Sequence, residues 1–184
     1  VAGQATFDGI PASFVWRENF TDTREFRSQY LVDARIDDIA NIREFGLKME
    51  PFSNDFIHGA LDTKLNFTIF DKVDRRLRIQ ADLTQAKISI PALGWTKAKG
   101  AKGQANFTIN FAKDLVIGVP KFSVGAGDLS VVGAAKYALD GSGLERIDFK
   151  KVAYGRTNMS GSLIPRSDGT WEAGFQGDSF DFSP

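Results

Sequence analysis

The single histidine, His58, is where acid–base or nucleophilic chemistry at neutral pH would have to start. A hydrolytic triad needs that histidine beside a nucleophile and a carboxylate. No Gly-x-Ser-x-Gly elbow supplies the nucleophile, because Gly141-Ser142-Gly143 reads as a turn between strands, not a strand-to-helix turn. His58 reads instead as a residue at the mouth of a strand. There is no Cys, so disulfides and thiolate metal sites are excluded, and one His leaves mostly oxygen ligands for any metal. Asp71 and Asp74 share one turn but form no Asp-x-Asp-x-Asp-Gly calcium loop. Gly125-Ala126-Gly127 opens like a dinucleotide fingerprint, but Ser130 stands where the third Gly belongs, and Leu129 to Tyr137 alternates like a strand. Trp95 with Lys97, Lys99 and Lys102 offers a phosphate or nucleic-acid contact, against the plainer reading of a flexible basic turn beside a Trp, which the neutral net charge favours; contact with lipid headgroups stands between the two. Asp37-Asp38 is accounted for by helix capping. The Asn-x-Ser/Thr sequences at Asn66, Asn106 and Asn158 fall inside expected strands. The chain is therefore expected not to be an enzyme and to need no cofactor or metal.

What the sequence does supply is apolar face. Leu77, Ile79, Ala81 and Leu83 alternate with Arg76, Arg78, Gln80 and Asp82. Ala105, Phe107, Ile109 and Phe111 alternate with Gln104, Asn106, Thr108 and Asn110, and Trp171, Ala173 and Phe175 repeat the pattern near the end. A period of two puts every second side chain on one face of a pleated strand. Sixteen Phe against three Tyr and two Met suit a wholly apolar inner face. Lys plus Arg equals Asp plus Glu at 23 each, which removes the basic stripe that nucleic acid requires. It also argues against attachment to an anionic membrane by charge alone.

Alternation and turn residues predict strands over 3–8, 12–18 and 26–36, then over 58–70, 75–90, 104–112, 115–125, 128–139, 144–154, 157–165 and 169–177. Asp140-Gly141 and Asp168-Gly169 are hairpin signals. The one helix signature is Asp37-Asp38 followed by Ile39, Ile42, Phe45 and Gly46, which predicts a short helix near residues 37–46. Asn66-Phe67-Thr68-Ile69 recurs as Asn106-Phe107-Thr108-Ile109, and the pair Gly133 and Gly141 recurs as Gly161 and Gly169. Such repetition marks a stackable hairpin unit. No linker divides the chain, so 1–184 reads as one β-rich segment. Its opening on Val1, with no signal peptide and no apolar run of ~20 residues, reads as a piece processed or cut from a longer protein.

Three stretches together carry a family resemblance. The first is Gly3-x-Ala5-x-Phe7-x-Gly9-x-Pro11 leading to Phe14-x-Trp16-x-Glu18-x-Phe20. The second runs from Ala81-Asp82-Leu83-Thr84 through Ala86, Ile88, Ile90-Pro91 and Leu93-Gly94-Trp95 to Lys97. The third is Tyr154-Gly155-Arg156-Thr157-x-Met159-Ser160-Gly161, then Asp168-Gly169-x-Trp171, then Phe180-Asp181-Phe182-Ser183-Pro184. In this order the chain resembles the AsmA-like proteins of Gram-negative bacteria, most closely their YhdP-like branch. The resemblance implies an internal periplasmic segment of a large protein anchored in the inner membrane through a part not present here. It also implies a bridge-like role, carrying phospholipid or another acyl-chain lipid toward the outer membrane along a hydrophobic groove. Its partners would be lipid and the adjoining segments of the same chain, not nucleic acid.

The expected fold is therefore mainly β: a long antiparallel sheet curled into an open, taco-like trough. About a dozen strands at ~4.8 Å spacing make a sheet ~55 Å long, which must close, pair or curl to hide its apolar face. A closed barrel or a sandwich with a dry core fits the same alternation. The expected groove lining is Trp16, Tyr30, Val32, Leu65, Phe67, Ile79, Leu83, Ile88, Phe107, Ile109, Phe111, Phe149 and Phe175. The rival reading is a structural or interaction β-module with a dry core, pairing through its edge strands.

Overall fold

The computed structural model describes residues 1–7, 9–21, 25–39, 56–90 and 94–179. Most of the helix expected at 37–46 lies outside them, as do the stretch from Met49 to Asp55, which the sequence reads as a connector, and Phe180 to Pro184.

Alternating residues assemble an eleven-stranded, wholly antiparallel sheet. Its strands, in spatial order, are β1 (Ala2–Phe7), β2 (Ile10–Glu18), β3 (Ser28–Ile36), β5 (Leu61–Ile69), β6 (Asp74–Asp82), β9 (Gly103–Ala112), β10 (Leu115–Ala126), β11 (Leu129–Tyr137), β12 (Leu144–Tyr154), β13 (Thr157–Pro165) and β14 (Trp171–Ser179). Chain order and spatial order agree, with one excursion between β3 and β5 and one between β6 and β9. The strands β1 and β14 are the two edges and do not pair with each other, so the sheet does not close into a barrel.

The excursions form a second, three-stranded sheet: β4 (Ile57–His58), β7 (Lys87–Ile90) and β8 (Trp95–Lys97). The single strand expected over 75–90 is thus two strands in two sheets. The apolar positions explain the break, because Ala81 and Leu83 hold one phase and Ala86, Ile88 and Ile90 hold the other. A turn absorbs the slip: Ala86 N–H donates to the Leu83 carbonyl at 3.0 Å, and Thr84 N–H donates to Asp82 Oδ1 at 2.8 Å.

The small sheet packs over one end of the large sheet's apolar face and makes the core there. Ile57, Ile88 and Trp95 cluster with Ile36, Leu61, Ala81, Leu83, Ala105, Ala126 and Leu129, all buried. Small side chains on the large sheet (Ala81, Ala105, Ala126) leave the depth that Trp95 and Ile88 fill. Ile39, at the start of the expected helix, is buried in the same cluster.

Aspartates hold the turns. Asp71 accepts N–H bonds from Val73 and Asp74, and Asp140 and Asp168 accept from Ser142 and Thr170, two residues on. These bonds favour the ionised forms and draw all three carboxyls below the ordinary aspartate value. In the two Asp-Gly hairpins Gly141 and Gly169 take φ of 82° and 83°, the left-handed region that glycine enters freely.

Candidate functional site

Register places one residue from each of the eleven strands in a single row across the sheet. The row runs Gly3, Phe14, Val32, Leu65, Ile79, Phe107, Phe122, Gly133, Phe149, Gly161, Phe175. No polar side chain interrupts it. A second row, two residues along each strand, contains Trp16, Tyr30, Phe67, Leu77, Ile109, Ala135, Ile147, Leu163 and Ala173.

Aromatic rings link the strands. Trp16 stacks on Tyr30 with centroids 6.2 Å apart, Tyr30 lies 6.4 Å from Phe67, and Phe67 meets Phe111 edge-on at 6.3 Å. In the central row Phe107, Phe122, Phe149 and Phe175 follow one another at 6.2, 6.0 and 5.9 Å. These separations suit offset and edge-to-face ring pairs. Beyond Phe122 the row alternates Phe with Gly, and the rings spread over the glycines. A Cβ at Gly133 would stand 2.5 Å from Phe122 Cζ.

The anticipated lining residues divide in two. Val32, Leu65, Ile79, Phe107, Phe149 and Phe175 occupy the central row; Trp16, Tyr30, Phe67 and Ile109 occupy the second; Phe111 lies one row beyond. Ile109 is buried, Trp16 is 39% exposed, and the others are partly buried. Leu83 and Ile88 lie elsewhere, in the core beneath the small sheet, and Ile88 belongs to that sheet.

Sequence reasoning missed Phe14, Phe122, Gly133 and Gly161. Register shifts between Val116 and Lys121 hide the phase of Phe122. The glycines carry no apolar signal of their own. Their trace was the Gly133/Gly161 repeat, which marks equivalent places in successive hairpins.

The apolar face changes character at its far end, opposite the small sheet. There the row reads Glu18, Ser28, Ile69, Arg75, Phe111, Val116. Glu18 Oε2 accepts from Ser28 Oγ at 2.6 Å and from Trp16 Nε1 at 3.1 Å. Arg75 Nη1 donates to Asp114 at 2.6 Å.

The residues first considered for chemistry have structural places. His58 is exposed on β4, opposite Lys87. Lys97 does not belong to an exposed basic turn with Lys99 and Lys102; it is 2% exposed. Its ammonium donates to the carbonyls of Ala86 at 2.7 Å, Ala98 at 3.2 Å and Thr84 at 3.5 Å, one acceptor for each proton. Burial pushes its pKa below the ordinary lysine value, and the Asp82 carboxylate partly offsets this. Trp95 Nε1 donates to Asp128 at 2.9 Å and ties the small sheet to the β10–β11 turn. Among the described residues no group of three His, Asp or Glu converges as a metal site.

The polar face carries a broad hollow of about 1130 Å³, lined by Asp33, Arg35, Asp62, Lys64, Gln80, Asp82 and Gln104 among others. A twisted sheet is saddle-shaped and therefore concave on each face along a different diagonal. Charges in this hollow pair with each other: Arg35 with Asp62 at 3.2 Å and Lys64 with Asp33 at 3.9 Å.

Compared with known proteins, the chain matches no family model, no curated protein and no solved structure.

Proposed function

We propose that this chain is a non-enzymatic segment of a lipid-carrying bridge, which holds acyl chains against the apolar face of its large sheet. The observation that carries this reading is the central row. An apolar strip from Gly3 to Phe175 crosses every strand of the large sheet, and the small sheet covers one end of the face only. Ten inter-strand steps of about 4.8 Å give a strip of roughly 48 Å. That exceeds the ~30 Å hydrocarbon thickness of a whole bilayer. A contiguous apolar surface on this scale marks an interaction site.

The resemblance to AsmA-like proteins supplies the rest of the proposal. The cargo is phospholipid or a related acyl-chain lipid. The setting is the periplasm, with the full-length protein anchored in the inner membrane and the path leading toward the outer membrane. The sheet curls along its length into a trough, and adjoining segments of the same chain continue it. Cargo slides along apolar surface while its headgroup stays wet, and no residue does chemistry.

The second reading is an interaction module that pairs through β1 and β14. Their edge positions favour it, as does Trp171, 52% exposed on β14. Native mass spectrometry of the purified chain separates the two. Lipid carriage predicts phospholipid adducts that survive gentle desolvation. A lipid-free spectrum, unchanged after incubation with phospholipid, overturns it and leaves the interaction module.

A further inference from the structure

Of the residues paired in the rows of the apolar face, two are charged, Glu18 and Arg75, and they share one row at the open end. Glu18 is engaged by Ser28 and Trp16. Arg75 is not fully engaged. One nitrogen, Nη1, reaches Asp114, while Nε is buried and has no hydrogen-bond partner. Its cross-strand neighbours are Ile69 and Phe111, neither of which carries a side-chain acceptor. A buried donor without an acceptor is costly, and a fold keeps few of them. Asp114 is 89% exposed on its side chain and sits in the β9–β10 turn, where an ion pair holds weakly and can give way.

An arginine so placed has a fork of donors at the edge of an apolar strip. We propose that Arg75 receives the phosphate of a phospholipid whose acyl chain lies along the aromatic rows. One phosphate oxygen satisfies Nε and a second takes Nη2, which lies beside it on the same edge of the guanidinium, while Nη1 faces Asp114. The planar guanidinium matches two oxyanion oxygens at once, which an ammonium does not. This assignment rests on the function proposed above and adds a headgroup site to it. The charge orients the lipid: tail across the strands, head at the strand ends away from the small sheet.

The test compares a lysophosphatidylglycerol with an uncharged monoacylglycerol of the same chain length, and inorganic phosphate alone, by calorimetry on the wild-type chain, Arg75→Gln, Arg75→Lys and Asp114→Asn. Wild type should bind the lysophospholipid about tenfold tighter than the uncharged lipid, the worth of one charge-assisted contact. Arg75→Gln should erase that preference and leave monoacylglycerol binding unchanged. Arg75→Lys should restore it in part, and Asp114→Asn should strengthen it by removing a negative charge from beside the phosphate. The last variant keeps Arg75 and carries the test if Arg75→Gln does not fold. An unchanged preference in Arg75→Gln overturns the assignment. So does inorganic phosphate binding as tightly as the lysophospholipid, which would make Arg75 a plain anion site. If wild type binds neither lipid, the function proposed above fails, and the headgroup site fails with it.

Discussion

Phe175 lies over Gly161, so close that a Cβ on Gly161 would stand 2.5 Å from the ring's Cδ1 and 2.8 Å from the Phe175 Cα. The same Cβ would also press on the backbone carbonyl of Gly174. The ring occupies the volume that a side chain on β13 would need.

Gly161→Ala should therefore destabilise the chain by about 1–3 kcal/mol, because the backbone carbonyl cannot rotate away as a side chain can. For a chain of this size each kcal/mol lowers Tm by roughly 2–4 °C. Gly174→Ala is the matched control. Nothing lies within 4 Å of its Cβ position, and its effect should stay within about 0.5 kcal/mol. Thermal melting of both variants checks the pair; equal Tm values would refute the packing of Phe175 on Gly161.

Phe107 and Thr108 test the two faces. Phe107 is partly buried in the central row, stacked against Phe122, while Thr108 faces the other way between Arg78 and Lys121. Phe107→Glu should fold with a loss of about 1–3 kcal/mol, since its carboxylate can reach water, and should lower bound lipid. Thr108→Glu gains two cationic neighbours and should be neutral or slightly stabilising, with its lipid load intact. Melting curves and lipid counting by mass spectrometry decide. Outright unfolding of Phe107→Glu would mean a dry, close-packed core around this ring; full lipid load would remove Phe107 from the proposed path.

Lys97 should matter through its carbonyl cage. Lys97→Met keeps the length but leaves the Ala86, Ala98 and Thr84 carbonyls without this donor, and should cost about 1–3 kcal/mol at neutral pH. Burial depresses the folded pKa of this base below its unfolded value of 10.5. Between those two values the unfolded chain binds more protons than the native one, so the Lys97 contribution to stability rises with pH. The Tm gap between wild type and Lys97→Met should widen as pH climbs from neutral toward 10.5. A gap that narrows would show the ammonium to be favoured by its carbonyls over water.

The sequence made the large sheet legible because alternation is a local signal. Strands such as β12 and β13 appear at their expected bounds. The small sheet was hidden for a physical reason. Its strands are two to four residues long, too short for a period of two to declare itself, and the phase slip between Leu83 and Ala86 was their one trace. Lys97 misled because a basic residue beside turn glycines reads as solvated, and a carbonyl cage leaves no mark in composition. Arg75 was masked by its own neighbours: it is in phase with Leu77 and Ile79, but beside Arg76 and Arg78 it reads as the end of a polar run, and register shows it paired within the sheet. On the anticipated lining, periodicity supplied the face, and register alone supplied the order of residues across it.

The odd strand count sets the headings of the two edges. In an eleven-stranded antiparallel sheet the first and last strands point the same way, so β1 and β14 are parallel to each other across the whole width. A second copy placed by simple translation, its β1 against the β14 of the first, would have to join by a parallel ladder, the slightly weaker kind. Antiparallel joining that keeps both apolar faces on one side requires like edge to like edge, with one copy turned half a revolution about the sheet normal. Self-stacking by translation, with the apolar faces aligned, is thereby disfavoured by parity.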